Sequence, residues 1–190
     1  QLNPGPPMLN FTHLNIHSLA TKSAPLHNYL ISHPTDILSL NETLLQPTDS
    51  DSSVASFIPP GYSILHSPRL TGLGGGVAVI FRQFLKLTSS KSPLPSPISF
   101  ETMTTKLTSG NKETIFINIY RRPPSPLTSD KSNPNLDKNK LSTFLSEFQA
   151  LLEHYVPLPS ELIITGDFNF HIDSDSASTK QFSSLLSAFD

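Results

Sequence analysis

Apolar residues recur along the chain at two spacings, one typical of strands and one typical of helices. Alternation of apolar and polar residues from Phe11 onward predicts a first strand over 11–16. Thr21 is then predicted to cap a helix over 22–32. Short runs that contain apolar residues predict further strands, over 36–42, 62–65, 77–81, 98–107, 114–119 and 162–170.

Two later segments carry apolar residues at helical spacing. These segments predict helices over 140–155 and 178–189. Segments rich in Ser, Pro or other polar residues are predicted to be loops, over 46–61, 88–98 and 121–139. The resulting order of elements indicates an α/β fold in layers with mixed sheets.

Length and composition limit the organisation of the chain. A length of 190 residues suits one domain, here predicted over 11–190 after a Pro-rich leader over 1–10. A chain without cysteine forms neither disulfides nor thiolate metal sites. No apolar run is long enough to cross a membrane. We expect an intracellular protein, nuclear or cytoplasmic, and a monomer.

The charge balance bears on the choice of partner. The formal net charge is −2 and the pI is near 6.4, whereas proteins that hold duplex DNA by charge alone carry a basic face. Any contact with nucleic acid is therefore expected to be local.

Polar side chains end three of the predicted strands. They are Asn15, Glu42 and the pair Asp167 and Asn169. Mg²⁺ prefers oxygen ligands and takes one or two carboxylates from a protein. Glu42 suits that role with Asn15 close to it, and the pair could orient a water and a phosphate oxygen.

The segment Gly166-Asp167-Phe168-Asn169-Phe170 has two readings. In a strand, alternation sends Asp167 and Asn169 to one face and both phenylalanines to the other. Gly, Asp and Asn are also common in turns, so the same residues could form one.

Several short motifs occur in an order that resembles the endonuclease/exonuclease/phosphatase family, and within it the apurinic-endonuclease-like domain of non-LTR (LINE-type) retrotransposons. The motifs are Leu14-Asn15-Ile16, Ser39-Leu40-Asn41-Glu42-Thr43, Gly74-Gly75-Gly76-Val77-Ala78-Val79, Ile119-Tyr120-Arg121 with Pro123-Pro124, and Gly166-Asp167-Phe168-Asn169. The resemblance implies a four-layer α/β sandwich that nicks target DNA with Mg²⁺, for which Mn²⁺ could substitute.

The resemblance also implies roles for individual residues. Glu42 would be the metal ligand and Asn15 its neighbour at the metal. Tyr120 would hydrogen-bond the scissile phosphate, Asp167 would position or deprotonate the water, and Asn169 would hold the phosphate. Tyr120 could instead fill the sheet, as aromatic residues often do.

Three arginines are candidates for contact with nucleic acid. Arg69 precedes the glycine-rich turn, and Arg121 and Arg122 follow Tyr120. Each could equally be a solvated surface residue.

The family pattern continues into further strands and a Ser-Asp-His element that is not found in these 190 residues. We therefore expect a domain that lacks its C-terminal strands, with the stripe Phe182, Leu185 and Phe189 uncovered. Loss of a general base costs about 10²–10⁴-fold in rate, so turnover is expected to be impaired. The alternatives are an inactive remnant that binds metal or DNA without cleavage, and a phosphodiesterase of this fold acting on a lipid or inositol phosphate.

Overall fold

The computed structural model describes residues 8–70, 74–123, 134–171 and 173–189, with side chains in the third range from residue 141 onward. The predicted leader over 1–10 falls mostly outside these residues, as does most of the predicted loop over 121–139. Within the described residues, no helix is both long and apolar enough to span a bilayer.

Strands and helices alternate at both ends of the chain, and strands follow one another in its middle. In chain order the elements are β1 (Phe11–Asn15), α1 (Ser23–Ser32), β2 (Ile37–Asn41), α2 (Asp51–Ala55), β3 (Tyr62–Ser67), β4 (Val77–Arg82), β5 (Leu87–Ser90), β6 (Glu101–Ser109), β7 (Lys112–Tyr120), α3 (Pro134–Tyr155), β8 (Glu161–Asp167) and α4 (Ala177–Ser187).

The strands form two mixed sheets. The first has the order β1-β2-β4-β3, with β1 parallel to β2 and the other neighbours antiparallel. The second has the order β5-β6-β7-β8, with β7 and β8 as its parallel pair. Each parallel pair brings two strand ends to one edge of its sheet.

Three apolar layers hold the sheets and helices together. Leu30, Leu38 and Ile80 are among the residues buried between α1 and the first sheet. Ile37, Val79 and Phe116 belong to the layer between the two sheets. The third layer joins the second sheet to α3 and α4, and includes Ile117, Phe144, Phe148 and Phe182. The predicted four-layer α/β sandwich is therefore confirmed.

Several predicted element boundaries were wrong. Lys22, not Thr21, is the N-cap residue of α1, and it makes no side-chain capping bond. The predicted loop over 46–61 contains α2, whose cap Ser50 accepts a hydrogen bond from the Ser53 amide. The helix predicted to begin at 140 begins at Pro134, where proline's missing N–H costs nothing.

The expected exposure of the apolar stripe on α4 was also wrong. Phe182 is only 3% exposed and stacks on Phe170, with ring centroids 4.6 Å apart. Leu185 and Phe189 are partly buried in the same layer. The aromatic rings that follow β8 and those on α3 cover this stripe.

Candidate active site

Four strand ends meet at one edge of the sandwich. β1 and β2 end there from the first sheet, and β7 and β8 end there from the second. Asn15 is the last residue of β1, Glu42 directly follows β2, and Tyr120 and Asp167 are paired across β7 and β8. The parallel pairing within each sheet therefore places these four side chains at the same edge.

Hydrogen bonds join the four side chains. The Asn15 Nδ2 amide donates to Glu42 Oε1 at 2.8 Å and to Asp167 Oδ2 at 3.1 Å. The Tyr120 hydroxyl donates to the same Glu42 oxygen at 2.9 Å. The predicted residues Asn15, Glu42, Tyr120 and Asp167 thus form one cluster, although they lie far apart in sequence.

The cluster holds Glu42 as a carboxylate and Tyr120 as a neutral phenol. Partial burial alone would raise the pKa of Glu42, but hydrogen bonds from Asn15, Tyr120 and His17 outweigh burial and lower it. Burial, followed by the bond to Glu42, raises the pKa of Tyr120 well above its ordinary value. Tyr120 therefore remains a hydrogen-bond donor at neutral pH.

His17 is a member of the cluster that the sequence reasoning missed. Its Nδ1 contacts Glu42 Oε2, while its side chain is 81% exposed. The alternation that begins at Phe11 already placed Asn15 and His17 on one side of the chain, and that signal could have found it. His13 lies deeper, and burial lowers its pKa although the charge of Asp167 opposes this.

The backbone around the cluster is in an unusual conformation. His17, Ser18 and Glu42 have φ values of +53°, +92° and +55°, in the left-handed region that non-glycine residues rarely adopt. The two loops are bound to each other, with the Ser18 amide donating to the Glu42 carbonyl at 2.9 Å. Such conformations persist only where the surroundings impose them, and they concentrate at functional sites.

The Gly-Asp-Phe-Asn segment combines both of its predicted readings. The strand ends at Asp167, and Asn169 follows in a turn with φ +50°. Phe168 and Phe170 pack into the layer against α3 and α4, on the apolar side that alternation predicted. The Asn169 amide N–H binds Asp167 Oδ1 at 3.0 Å, which fixes the second carboxylate oxygen.

One reading placed Asn169 beside Asp167 on the same face of a strand, but Asn169 lies beyond the end of β8. Its Nδ2 donates to the Arg121 carbonyl oxygen at 2.6 Å. This bond ties the turn after β8 to the segment after β7.

A pair of buried amides between the sheets positions the ends of β2 and β7. Asn41 Nδ2 donates to the Ile119 carbonyl at 2.8 Å, and Asn118 Nδ2 donates to the Leu40 carbonyl at 2.8 Å and the Ala78 carbonyl at 3.2 Å. Glu42 directly follows Asn41 in sequence, and Tyr120 directly follows Ile119. The amide pair therefore fixes the separation of Glu42 and Tyr120 across the two sheets.

The three arginines occupy different environments. Arg69 is 13% exposed, is paired with Glu101, and lies 5.8 Å from the centroid of the Tyr120 ring. Arg121 lies over the Phe144 and Phe170 rings and donates to the Phe168 carbonyl. Arg122 is exposed. The structure therefore places Arg69 and Arg121 in internal contacts and Arg122 at the surface.

The donor set of the cluster fits a divalent ion bound by oxygen. Among the described residues, no group of three or more His, Asp or Glu could hold a metal by itself. Glu42 nevertheless offers a carboxylate, and Asn15 Oδ1 is buried without a hydrogen-bond partner. Mg²⁺ commonly takes one or two carboxylates and fills its other positions with water, so the chemistry of this donor set fits the ion.

The chain belongs to the Endonuclease/Exonuclease/phosphatase family, whose profile matches residues 12–187. A comparison with curated protein sequences found no match.

Solved structures of similar fold include several that process nucleic acids. The AP endonuclease LMAP from Leishmania major has a TM-score of 0.70 at 17% identity over 95% of this chain and 66% of its own. The endonuclease domain of TRAS1, a telomere-specific non-LTR retrotransposon, has a TM-score of 0.65 at 13% identity over 96% of this chain and 71% of its own. The 3′ phosphatase NExo from Neisseria, bound to a product DNA hairpin, has a TM-score of 0.59 at 18% identity over 95% of this chain and 71% of its own.

The chain thus spans 66% of the length of the LMAP structure. At these identities the similarity establishes the fold.

Proposed function

We propose that the chain is a Mg²⁺-dependent phosphodiester hydrolase that nicks DNA, of the kind carried by non-LTR retrotransposons. The observation that carries the proposal is the convergence of Asn15, Tyr120 and Asp167 around the Glu42 carboxylate. The names of two structures of similar fold, a retrotransposon endonuclease domain and a phosphatase bound to product DNA, support DNA as the substrate.

Glu42 and Asn15 would hold the metal ion. The carboxylate of Glu42 is kept charged by its donors, and the buried Oδ1 of Asn15 has no other partner in the described structure. Mg²⁺, or Mn²⁺ in its place, would supply positive charge beside a phosphate oxygen. Asn15 would therefore join the metal to Asp167, because its Nδ2 binds Asp167 at the same time.

Asp167 is suited to orient the attacking water. Both of its oxygens are fixed, one by the Asn169 amide and the other by Asn15. In the step we propose, the water oxygen forms a bond to phosphorus while the bond from phosphorus to the leaving oxygen breaks. The water proton passes to the Asp167 carboxylate, and the leaving oxygen takes a proton from solvent.

Tyr120 and Asn169 would hold the phosphate. Tyr120 stays protonated because its pKa is raised, so its hydroxyl would exchange the hydrogen bond to Glu42 for one to a phosphate oxygen. An asparagine amide has two N–H donors, and Asn169 uses one of them on Arg121. The other is available to a second phosphate oxygen.

A plasmid nicking assay tests the proposal. The 190-residue chain is incubated with supercoiled plasmid and Mg²⁺ or Mn²⁺, and conversion to the open circular form is measured. Glu42→Gln and Asp167→Asn should each reduce the rate by about 10²-fold or more, as loss of a transition-state contact does. Glu153→Gln, on the outer surface of α3, is the matched control and should leave the rate unchanged.

We expect slow nicking, because these residues contain no Ser-Asp-His element. Retention of the full rate in Glu42→Gln would overturn the site assignment. Binding of metal and DNA without any nick would support the alternative of a binding remnant.

A further inference from the structure

The two oxygens of the Glu42 carboxylate have different kinds of neighbour, and His17 supplies the neighbour that is an imidazole nitrogen. Oxygen Oε1 receives two neutral donors, from Asn15 and Tyr120. Oxygen Oε2 contacts the imidazole Nδ1 of His17. The site therefore offers a nitrogen beside a carboxylate oxygen.

The backbone holds His17 in this position. The loop after β1 runs beside the loop after β2, with the Ile16 amide donating to the Asn41 carbonyl at 3.0 Å and the Leu19 amide donating to the Thr43 carbonyl at 2.9 Å. Both His17 and Glu42 have left-handed backbone conformations within these loops. Their contact is thus a consequence of the local fold.

Nitrogen and oxygen donors select different metal ions. Mg²⁺ is bound through oxygen and retains its waters. Imidazole nitrogen suits Zn²⁺, Fe²⁺, Ni²⁺ and other first-row transition ions, whose affinities rise from Mn²⁺ to Cu²⁺. The direct contact of His17 Nδ1 with Glu42 Oε2 places a nitrogen donor and an oxygen donor side by side, as two ligands of one ion must be.

We infer that His17 Nδ1 is a ligand of the ion held by Glu42, and that it makes the site favour a first-row transition ion over Mg²⁺. This inference rests on the metal site of the proposed function and goes beyond it. The His17 side chain is 81% exposed, so an ion can reach it from solvent. The donor set is then the His17 nitrogen, the Glu42 carboxylate and the Asn15 carbonyl oxygen.

Metal binding measured without any substrate tests the inference. The purified chain is loaded with one equivalent of Mn²⁺, and pulsed EPR detects ¹⁴N bound directly to the ion. Calorimetry measures the ratio of the Co²⁺ and Mg²⁺ dissociation constants. We expect a ¹⁴N signal and a ratio that favours Co²⁺.

His17→Asn is the informative variant, because asparagine tolerates a left-handed backbone and replaces the nitrogen donor with an oxygen. The ¹⁴N signal should disappear, and Co²⁺ should bind about tenfold or more weakly, because loss of even an outer-shell partner costs about 10–100-fold in metal affinity. Mg²⁺ binding should stay within about twofold. His33→Ala, an exposed histidine that precedes β2, is the matched control and should retain the signal.

A ¹⁴N signal that persists in His17→Asn, or an unchanged ratio of dissociation constants, would overturn the inference. If Glu42→Gln abolishes metal binding while His17→Asn has no effect, the inference fails and the proposed metal site stands. If Glu42→Gln has no effect on metal binding either, the metal site of the proposed function fails as well. Unfolding curves of each variant separate these outcomes from loss of the fold.

Discussion

The Glu42 carboxylate is surrounded by donors, and this gives it a defined dependence on pH. Its pKa in the folded chain lies below the ordinary value of 4.5. A carboxyl group with a lowered folded-state pKa stabilises the fold fully above the unfolded-state value. That contribution is lost as the pH falls through the lower folded-state value, because both states then bind the proton.

We therefore predict that the stability difference between the wild type and Glu42→Gln depends on pH. The free energy of unfolding, measured by urea denaturation, should differ by a constant amount above about pH 5. The difference should shrink progressively below pH 4.5. Glu153→Gln should show no such dependence, and a difference that is equally large at pH 3 and pH 7 would contradict the prediction.

Close approach of two strands makes a glycine necessary in β8. Gly166 has φ +152°, and a Cβ atom there would lie 1.8 Å from the Ile119 carbonyl oxygen of β7. Gly166→Ala should therefore separate the pair of strands that carries Tyr120 and Asp167. We predict a loss of stability of about 4 kcal/mol or more, in the range that marks a disrupted core.

The comparison variant for Gly166→Ala is Gly110→Ala in the β6–β7 turn. Gly110 also has a positive φ, of +60°, but a Cβ atom there meets nothing within 4 Å. It should cost only the conformational strain of about 1–2 kcal/mol. Thermal unfolding of the two variants measures the contrast, and equal losses would show that strain alone explains the effect at Gly166.

The buried amides between the sheets lead to a second prediction for the elements. Asn118→Ala removes a donor from two carbonyls inside the sandwich, which should cost about 1–3 kcal/mol. Since Asn118 helps to fix β2 against β7, the metal binding that we propose for Glu42 should weaken too. Ser39→Ala is the control, because the Ser39 hydroxyl is buried without a partner and its loss should cost little. Equal losses in the two variants would contradict a role for the amide bonds.

Regular spacing made most of the elements predictable from sequence. Alternation located β1, short apolar runs located β2, β4 and the β6–β7 hairpin, and helical spacing located α3 and α4. Short elements defined by capping were missed, since the five residues of α2 depend on the Ser50 cap and show no period. The start of α3 was missed because its first turn is polar and resembles a loop.

At the level of the whole molecule, the sequence identified strand-end residues but not how they contact one another. Motif order selected Asn15, Glu42, Tyr120 and Asp167, and the pairing of parallel strands explains why they meet. The contact of His17 with Glu42 also depends on two left-handed loops, which the alternation along β1 does not specify. The burial of Arg69 against Glu101 was equally hidden, because ion pairing across 32 residues leaves no local signal.

The charge of the whole molecule sets how DNA binding should respond to salt. With a net charge of −2, the chain should contact few phosphates. For about three contacts, affinity would fall roughly 40-fold between 50 and 200 mM salt. Fluorescence anisotropy of a labelled duplex with the Glu42→Gln variant would measure this without cleavage. A loss of about 10⁴-fold or more would contradict the prediction of few contacts.

Substitution of two adjacent arginines should affect different properties, the salt dependence of DNA binding for one and the stability of the fold for the other. Arg122 is exposed, so Arg122→Ala should reduce the salt slope by about one unit and leave stability nearly unchanged. The Arg121 guanidinium lies 4.9 Å and 4.4 Å from the Phe144 and Phe170 ring centroids, and Arg121→Ala should cost about 2 kcal/mol of stability. The slope of log affinity against log salt concentration for Arg121→Ala should match that of the protein without this substitution. A reduced slope with unchanged stability in Arg121→Ala would instead make this residue a phosphate contact.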